Sequence, residues 1–141
     1  MKVALDTNVL VSAVATRGLC ADVLNVVLAE HQLVIGETIL SELRRVLRQK
    51  IRVPAETVEE MDAFLRGQAI TPATAPVMSI TLRDKSDLAV LAEAIGGGAD
   101  VLVTGDRDLL AIAAEAPIAI LTPRGFWERL RMRPDSGGSK G

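Results

Sequence analysis

Asp6 and Asp106 each follow an apolar run, in Val3-Ala4-Leu5-Asp6 and in Val101-Leu102-Val103-Thr104-Gly105-Asp106. Unbroken apolar strands belong to sheets covered on both faces, and such sheets do their chemistry in the crevice beyond the strand carboxyl ends. Both acids fall there. Asp87 opens a helix, as does Asp106, with Asp108 just beyond, and Glu42 stands at the edge of an amphipathic helix. Gathered on one rim, carboxylates about 4 Å apart repel by about 4 kcal/mol per pair at an effective dielectric near 20, so the group requires a cation. Oxygen donors without histidine or cysteine suit Mg²⁺ or Mn²⁺ rather than zinc. A cation held in this way neutralises phosphate oxygens, eases formation of hydroxide and stabilises a leaving oxygen, which points to phosphodiester hydrolysis. Taken singly, each acid also fits a helix cap, and that reading stays open at each position.

The elements that must position these residues follow from apolar spacing. After the first strand and a short helix, Val23, Leu24, Val27 and Leu28 give a second helix one apolar face, from about Leu19 to Glu30. Gln32 to Gly36 reads as a second strand. The next helix carries Ile39, Leu40, Leu43, Val46 and Leu47 as a stripe, with Arg44, Arg45 and Arg48 opposite and Glu42 at its border. Pro54 starts a helix reaching about Gly67, and a proline-containing connector leads to a short edge strand at Val77–Ile80. Leu88, Leu91, Ala92 and Ile95 face inward on the helix opened by Asp87, and Gly96-Gly97-Gly98 ends it. Ala99–Thr104 and Pro117–Leu121 are further strands, followed by helices from Asp106 to about Ala114 and from Pro123 to about Leu130. Strand and helix alternate throughout, which predicts a three-layer α/β sandwich on a parallel sheet. Residues 1–133 form one domain, and residues 134–141, polar and glycine-rich, are expected to be a disordered tail.

Composition sets bounds on this reading. At 141 residues and 49% apolar content the chain has enough material for one core. A single cysteine, Cys20, excludes an internal disulfide, and no leader-like segment opens the chain, so a cytoplasmic protein is expected. A net charge of −2 argues against coating nucleic acid by bulk charge, and Phe64, Phe126 and Trp127 as the only aromatics exclude base stacking as the main binding mode. With His31 as the sole histidine, Ser12 and Ser41 lack a partner base for hydrolase chemistry. Gly96-Gly97-Gly98 lies after a helix and before a strand, the wrong order for a phosphate-cradling loop.

Four segments in order resemble the PIN-domain family, closest in character to VapC-like toxin components of type II toxin–antitoxin pairs. They are Leu5-Asp6-Thr7-Asn8-Val9-Leu10-Val11-Ser12, Ile39-Leu40-Ser41-Glu42-Leu43-Arg44-Arg45-Val46-Leu47, Arg83-Asp84-Lys85-Ser86-Asp87 and Ala99-Asp100-Val101-Leu102-Val103-Thr104-Gly105-Asp106-Arg107-Asp108. The resemblance implies five parallel strands in the order 3-2-1-4-5 and a Mg²⁺- or Mn²⁺-dependent endoribonuclease that hydrolyses RNA to a 5′-phosphate and a 3′-hydroxyl. It assigns Asp6, Glu42, Asp87 and Asp106 to the acidic quartet, with Asp108 beside it. Thr7, Asn8, Ser12 and Thr104 fall on its polar supporting positions. It further implies a homodimer and an antitoxin protein covering the groove. Arg44, Arg45 and Arg48, with Lys50 and Arg52 beyond them, are candidates to hold an RNA backbone. Where relatives carry a more acidic run before the helix, this chain has Lys85-Ser86. That departure keeps a second reading open: a catalytically weak or inactive module of the same fold that binds RNA or a protein.

Overall fold

Lys2–Leu5 form β1, and Val3, Ala4 and Leu5 are all buried although successive strand side chains point to opposite faces. The same holds for Val101–Val103, which form β4. Both faces of the sheet are therefore covered, which is the three-layer arrangement expected from unbroken apolar strands. The computed structural model describes residues 1–72, 76 and 80–132. Along the chain, β1 is followed by α1 (Thr7–Ala15), α2 (Leu19–Glu30), β2 (Gln32–Val34), α3 (Glu37–Gln49), α4 (Ala55–Gln68) and β3 (Ala69–Ile70). Then come α5 (Lys85–Gly96), β4, α6 (Arg107–Ala111), β5 (Ala119–Leu121) and α7 (Pro123–Met132).

All pairings are parallel, and the strand order is β3-β2-β1-β4-β5. In register, Val3 lies between Leu33 and Val101, and Leu5 stands opposite Val103. The order reverses between β1 and β4, so the carboxyl ends of these two strands open side by side onto one crevice. Helix α1 packs on α2 and α3, and α3 packs in turn on α4 and α5. Ile39, Leu40, Leu43 and Leu47 of α3 are buried as the stripe requires, while Val46 is half-buried. Gly97 caps α5 and Gly98 takes φ +78°, so the triple glycine ends a helix and turns into β4.

The third strand is not where the sequence placed it. It is Ala69–Ile70, directly after α4, and it pairs with Leu33 and Val34 of β2. Residues 77–79 of the expected edge strand lie outside the described residues, and Ile80 sits in a bend. The expected tail at 134–141 also lies outside them. α6 is shorter than its apolar pattern suggested, giving way to turns after Ala111. Among the described residues no single helix is long and apolar enough to cross a membrane.

Candidate metal centre

Asp6 follows β1 and is held against β4: its backbone N–H donates to the Val103 carbonyl at 3.0 Å. It caps α1 by accepting the Thr7 N–H at Oδ1 (2.8 Å), and Oδ2 accepts the Thr104 hydroxyl at 2.7 Å. The cap and the crevice positions are thus one position. Thr104 is completely buried, and its oxygen also accepts the Asp106 N–H at 3.0 Å. This single hydroxyl fixes the two strand-end acids relative to each other. Asp106 in turn caps α6, with Oδ1 accepting the N–H groups of Asp108 (2.8 Å) and Leu109 (3.1 Å). Across the crevice, Thr7 Oγ1 donates to Glu42 Oε1 at 2.8 Å and ties α3 to the start of α1.

These side chains line a cleft of about 200 Å³. Asp6, Thr7, Asn8, Glu42, Asp87 and Asp106 form one part of its wall, and Arg45, Val46, Lys50, Asp84 and Ser86 the rest. Asp87, Asp106 and Asp108 each offer an oxygen within 4.8 Å of the others. Burial pushes the Asp87 carboxyl up to about 6, with Asp106, Asp84, Asp6 and Asp108 adding like charge. Asp6 is also raised, by burial above all and by Asp106 and Glu42, while the hydrogen bonds from Thr104 and Thr7 act in the opposite direction. The fold therefore concentrates carboxylates at an energetic cost that an added positive charge would relieve.

The donor set fits a hard divalent cation: it is all oxygen, crowded and deficient in positive charge. Bonds of about 2.1 Å bring ligand oxygens to at most about 4.2 Å apart, so modest side-chain adjustment closes the triad. Asp87, Asp106 and Asp108 are placed to hold such an ion, with Asp6 and Glu42 facing the same cleft. Among the described residues, the one cation already touching the triad is Arg83, whose guanidinium donates to Asp108 at 3.1 Å.

Not every expected residue is gathered here. Ser12 lies further along α1, beside Cys20 of α2. Arg44 turns toward α4, bonded to Glu59 at 2.6 Å and within 3.5 Å of Asp62, and Arg48 is exposed away from the lining. Arg45 does line the cleft, joined by Lys50. Asp84 was not singled out as a site residue, yet it lines the cleft and caps α5 through Ser86 N–H (2.8 Å). Its spacing three residues before Asp87 at a helix start was the available signal.

Comparison with solved structures returns the same architecture. VapBC-1 from nontypeable Haemophilus influenzae matches with a TM-score of 0.60 and 15% identity, covering 88% of this chain and 99% of that one. VapBC2 from Rickettsia felis, bound to a DNA fragment from its promoter, matches with a TM-score of 0.56 and 19% identity, covering 86% and 97%. FitAcB from Neisseria gonorrhoeae gives 0.55 and 13%, covering 86% and 98%. No curated protein matches at the sequence level. A sequence model of the PIN domain, however, matches residues 2–108, which span β1 through the third acid of the triad. With the strand order, the acid-lined cleft and that match in agreement, the chain belongs to the PIN-domain family.

Proposed function

We propose that this protein is a Mg²⁺- or Mn²⁺-dependent endoribonuclease, the toxin of a toxin–antitoxin pair acting in the cytoplasm. The observation that carries this reading is the convergence of Asp6, Glu42, Asp87, Asp106 and Asp108 from four separate segments onto one rim. Asp87, Asp106 and Asp108 would hold the ion, with Asp6 and Glu42 reaching it directly or through its water shell. When bound, it supplies charge compensation for the phosphodiester and lowers the cost of deprotonating water. Asp6 is oriented by Thr104 and Thr7, so its remaining lone pairs are available to the cleft without rotamer search. Thr7 holds Glu42 Oε1, and Oε2 has no hydrogen-bond partner among the described residues, which suits Glu42 to orient an attacking water in line with the phosphorus. Asn8, exposed at the mouth, can donate to a ribose or phosphate oxygen. Arg45 and Lys50 have no ion-pair partner among the described residues, and they stand on the α3 wall where an RNA backbone would enter. Arg44, committed to α4, serves the fold instead.

The antitoxin partner and a homodimer rest on the motif resemblance, and the fold shared with two VapBC proteins supports the antitoxin partner alone. Co-purification of a small protein encoded next to this gene would support the pair. The decisive experiment is Mn²⁺-dependent cleavage of a panel of structured RNAs by the wild type and by Asp6→Asn. Cleavage to 5′-phosphate ends by the wild type, lost at least 100-fold in the variant, is expected. Equal cleavage by both removes the metal site from the mechanism. The Arg83–Asp108 pair, together with Lys85-Ser86 in place of a more acidic run, favours the second reading of a weak or inactive binding module. RNA binding without any cleavage in Mn²⁺ would establish that reading.

A further inference from the structure

Glu93 does not line the cleft, yet among the described residues it makes the side-chain hydrogen bonds that join the two helices bearing Glu42 and Asp87. Helix α3 begins at Gly36, which has no side chain to cap the exposed N–H groups of the first turn. The cap comes from α5: Glu93 Oε1 accepts the Thr38 N–H at 3.0 Å, and Glu93 Oε2 accepts the Thr38 hydroxyl at 2.6 Å. A carboxylate at a helix amino terminus is favourable, and its two oxygens are both engaged here, so the contact is geometrically specific. Gly36 makes room for it. Its φ of −84° is open to any residue, but a Cβ at that position would collide with the Glu93 carboxylate.

Thr38 lies one turn before Glu42 on the same face of α3, about 6 Å along the axis, and Glu93 lies six residues beyond Asp87, about 9 Å along α5. The two helices are thus pinned at a point short of the cleft, and both run from it to the cleft wall. We infer that the Gly36–Thr38–Glu93 clamp is a positioning device that sets the separation of Glu42 and Asp87, making Glu93 a positioning residue for cation binding. This rests on the metal-dependent reading above. It differs from the neighbouring ion pairs of Arg66 with Glu37 and Asp62, which steady the same end of α3 from the α4 side without touching α5.

Isothermal titration of the full chain with Mn²⁺ tests the clamp, with thermal unfolding measured in EDTA alongside. Glu93→Ala, Thr38→Val and Gly36→Ala are each expected to weaken Mn²⁺ binding roughly tenfold, the lower end of what losing an outer support costs. Thr38→Ser, which keeps both donors, should bind as the wild type does. Arg66→Ala serves as the control: it should lower the unfolding temperature and leave the Mn²⁺ affinity unchanged. Wild-type affinity in Glu93→Ala and Thr38→Val, whatever their unfolding temperatures, would overturn the inference and leave Glu93 a helix cap only. If Glu93→Ala does not fold by circular dichroism, Thr38→Val decides alone. Absence of Mn²⁺ binding by the wild type would instead overturn the metal-dependent reading itself.

Discussion

Asp6 and Asp87 show how burial prepares a carboxylate for a cation. Both are pushed up, chiefly by burial, with like charge from neighbouring acids added, and Asp87 reaches about 6 against an ordinary value of 3.8. An acid with a raised folded pKa binds more protons folded than unfolded. Its contribution therefore favours the fold below the unfolded value and is lost as pH rises through the folded one. For the metal-free protein this predicts that the wild type loses stability relative to Asp87→Asn as pH rises from about 4 to about 6. Urea midpoints of the two proteins in EDTA at pH 5 and pH 7.5 check it, and a difference that stays constant would contradict it. Asp6→Asn should likewise fold in EDTA, since the amide oxygen can still accept the Thr7 N–H. What it should lose is stabilisation by Mn²⁺, read as the shift in unfolding temperature on adding the ion.

Between the elements, Thr104 matters more than its size suggests. Its hydroxyl joins the end of β4 to Asp6 after β1 and to the start of α6, in complete burial. Thr104→Val keeps the shape but leaves a carboxylate oxygen and the Asp106 N–H short of a partner. A loss of about 1–3 kcal/mol in urea unfolding is expected. Arg44→Ala, by contrast, removes ion pairs whose other partner at Glu59 is more than half exposed, and about 0.2–1 kcal/mol is expected by the same measurement. This is also the scale at which the sequence was most and least legible. The strands before Asp6 and Asp106 and the stripe of α3 announce themselves because burial on both faces or on one helical face leaves a periodic record. The third strand left none: Ala69-Ile70 is two residues long and continues directly from α4, so no alternation could develop. The link from Glu93 to Thr38 spans 55 positions and depends on how α5 crosses α3, which no local pattern encodes. The same is true of Arg44, whose helix position suggested solvent or RNA until α4 supplied Glu59 and Asp62.

At the scale of the molecule, a net charge of −2 hides a sharp internal division, with acids collected at the carboxyl ends of β1 and β4 and Arg45 and Lys50 across from them. Saturating Mn²⁺ is therefore expected to raise the unfolding temperature by several degrees, whereas an equal ionic strength of NaCl should not, because general screening acts weakly on a partly buried site. Differential scanning fluorimetry in matched buffers separates the two. The outermost strand β3 has a further consequence. Among the described residues its ladder to β2 is only two residues wide, so that strand gives an incoming chain almost nothing to template on, and sheet extension from it is self-limiting. Association at that flank must then be built from helical surfaces, and concentrated solutions should resist fibril growth that starts there.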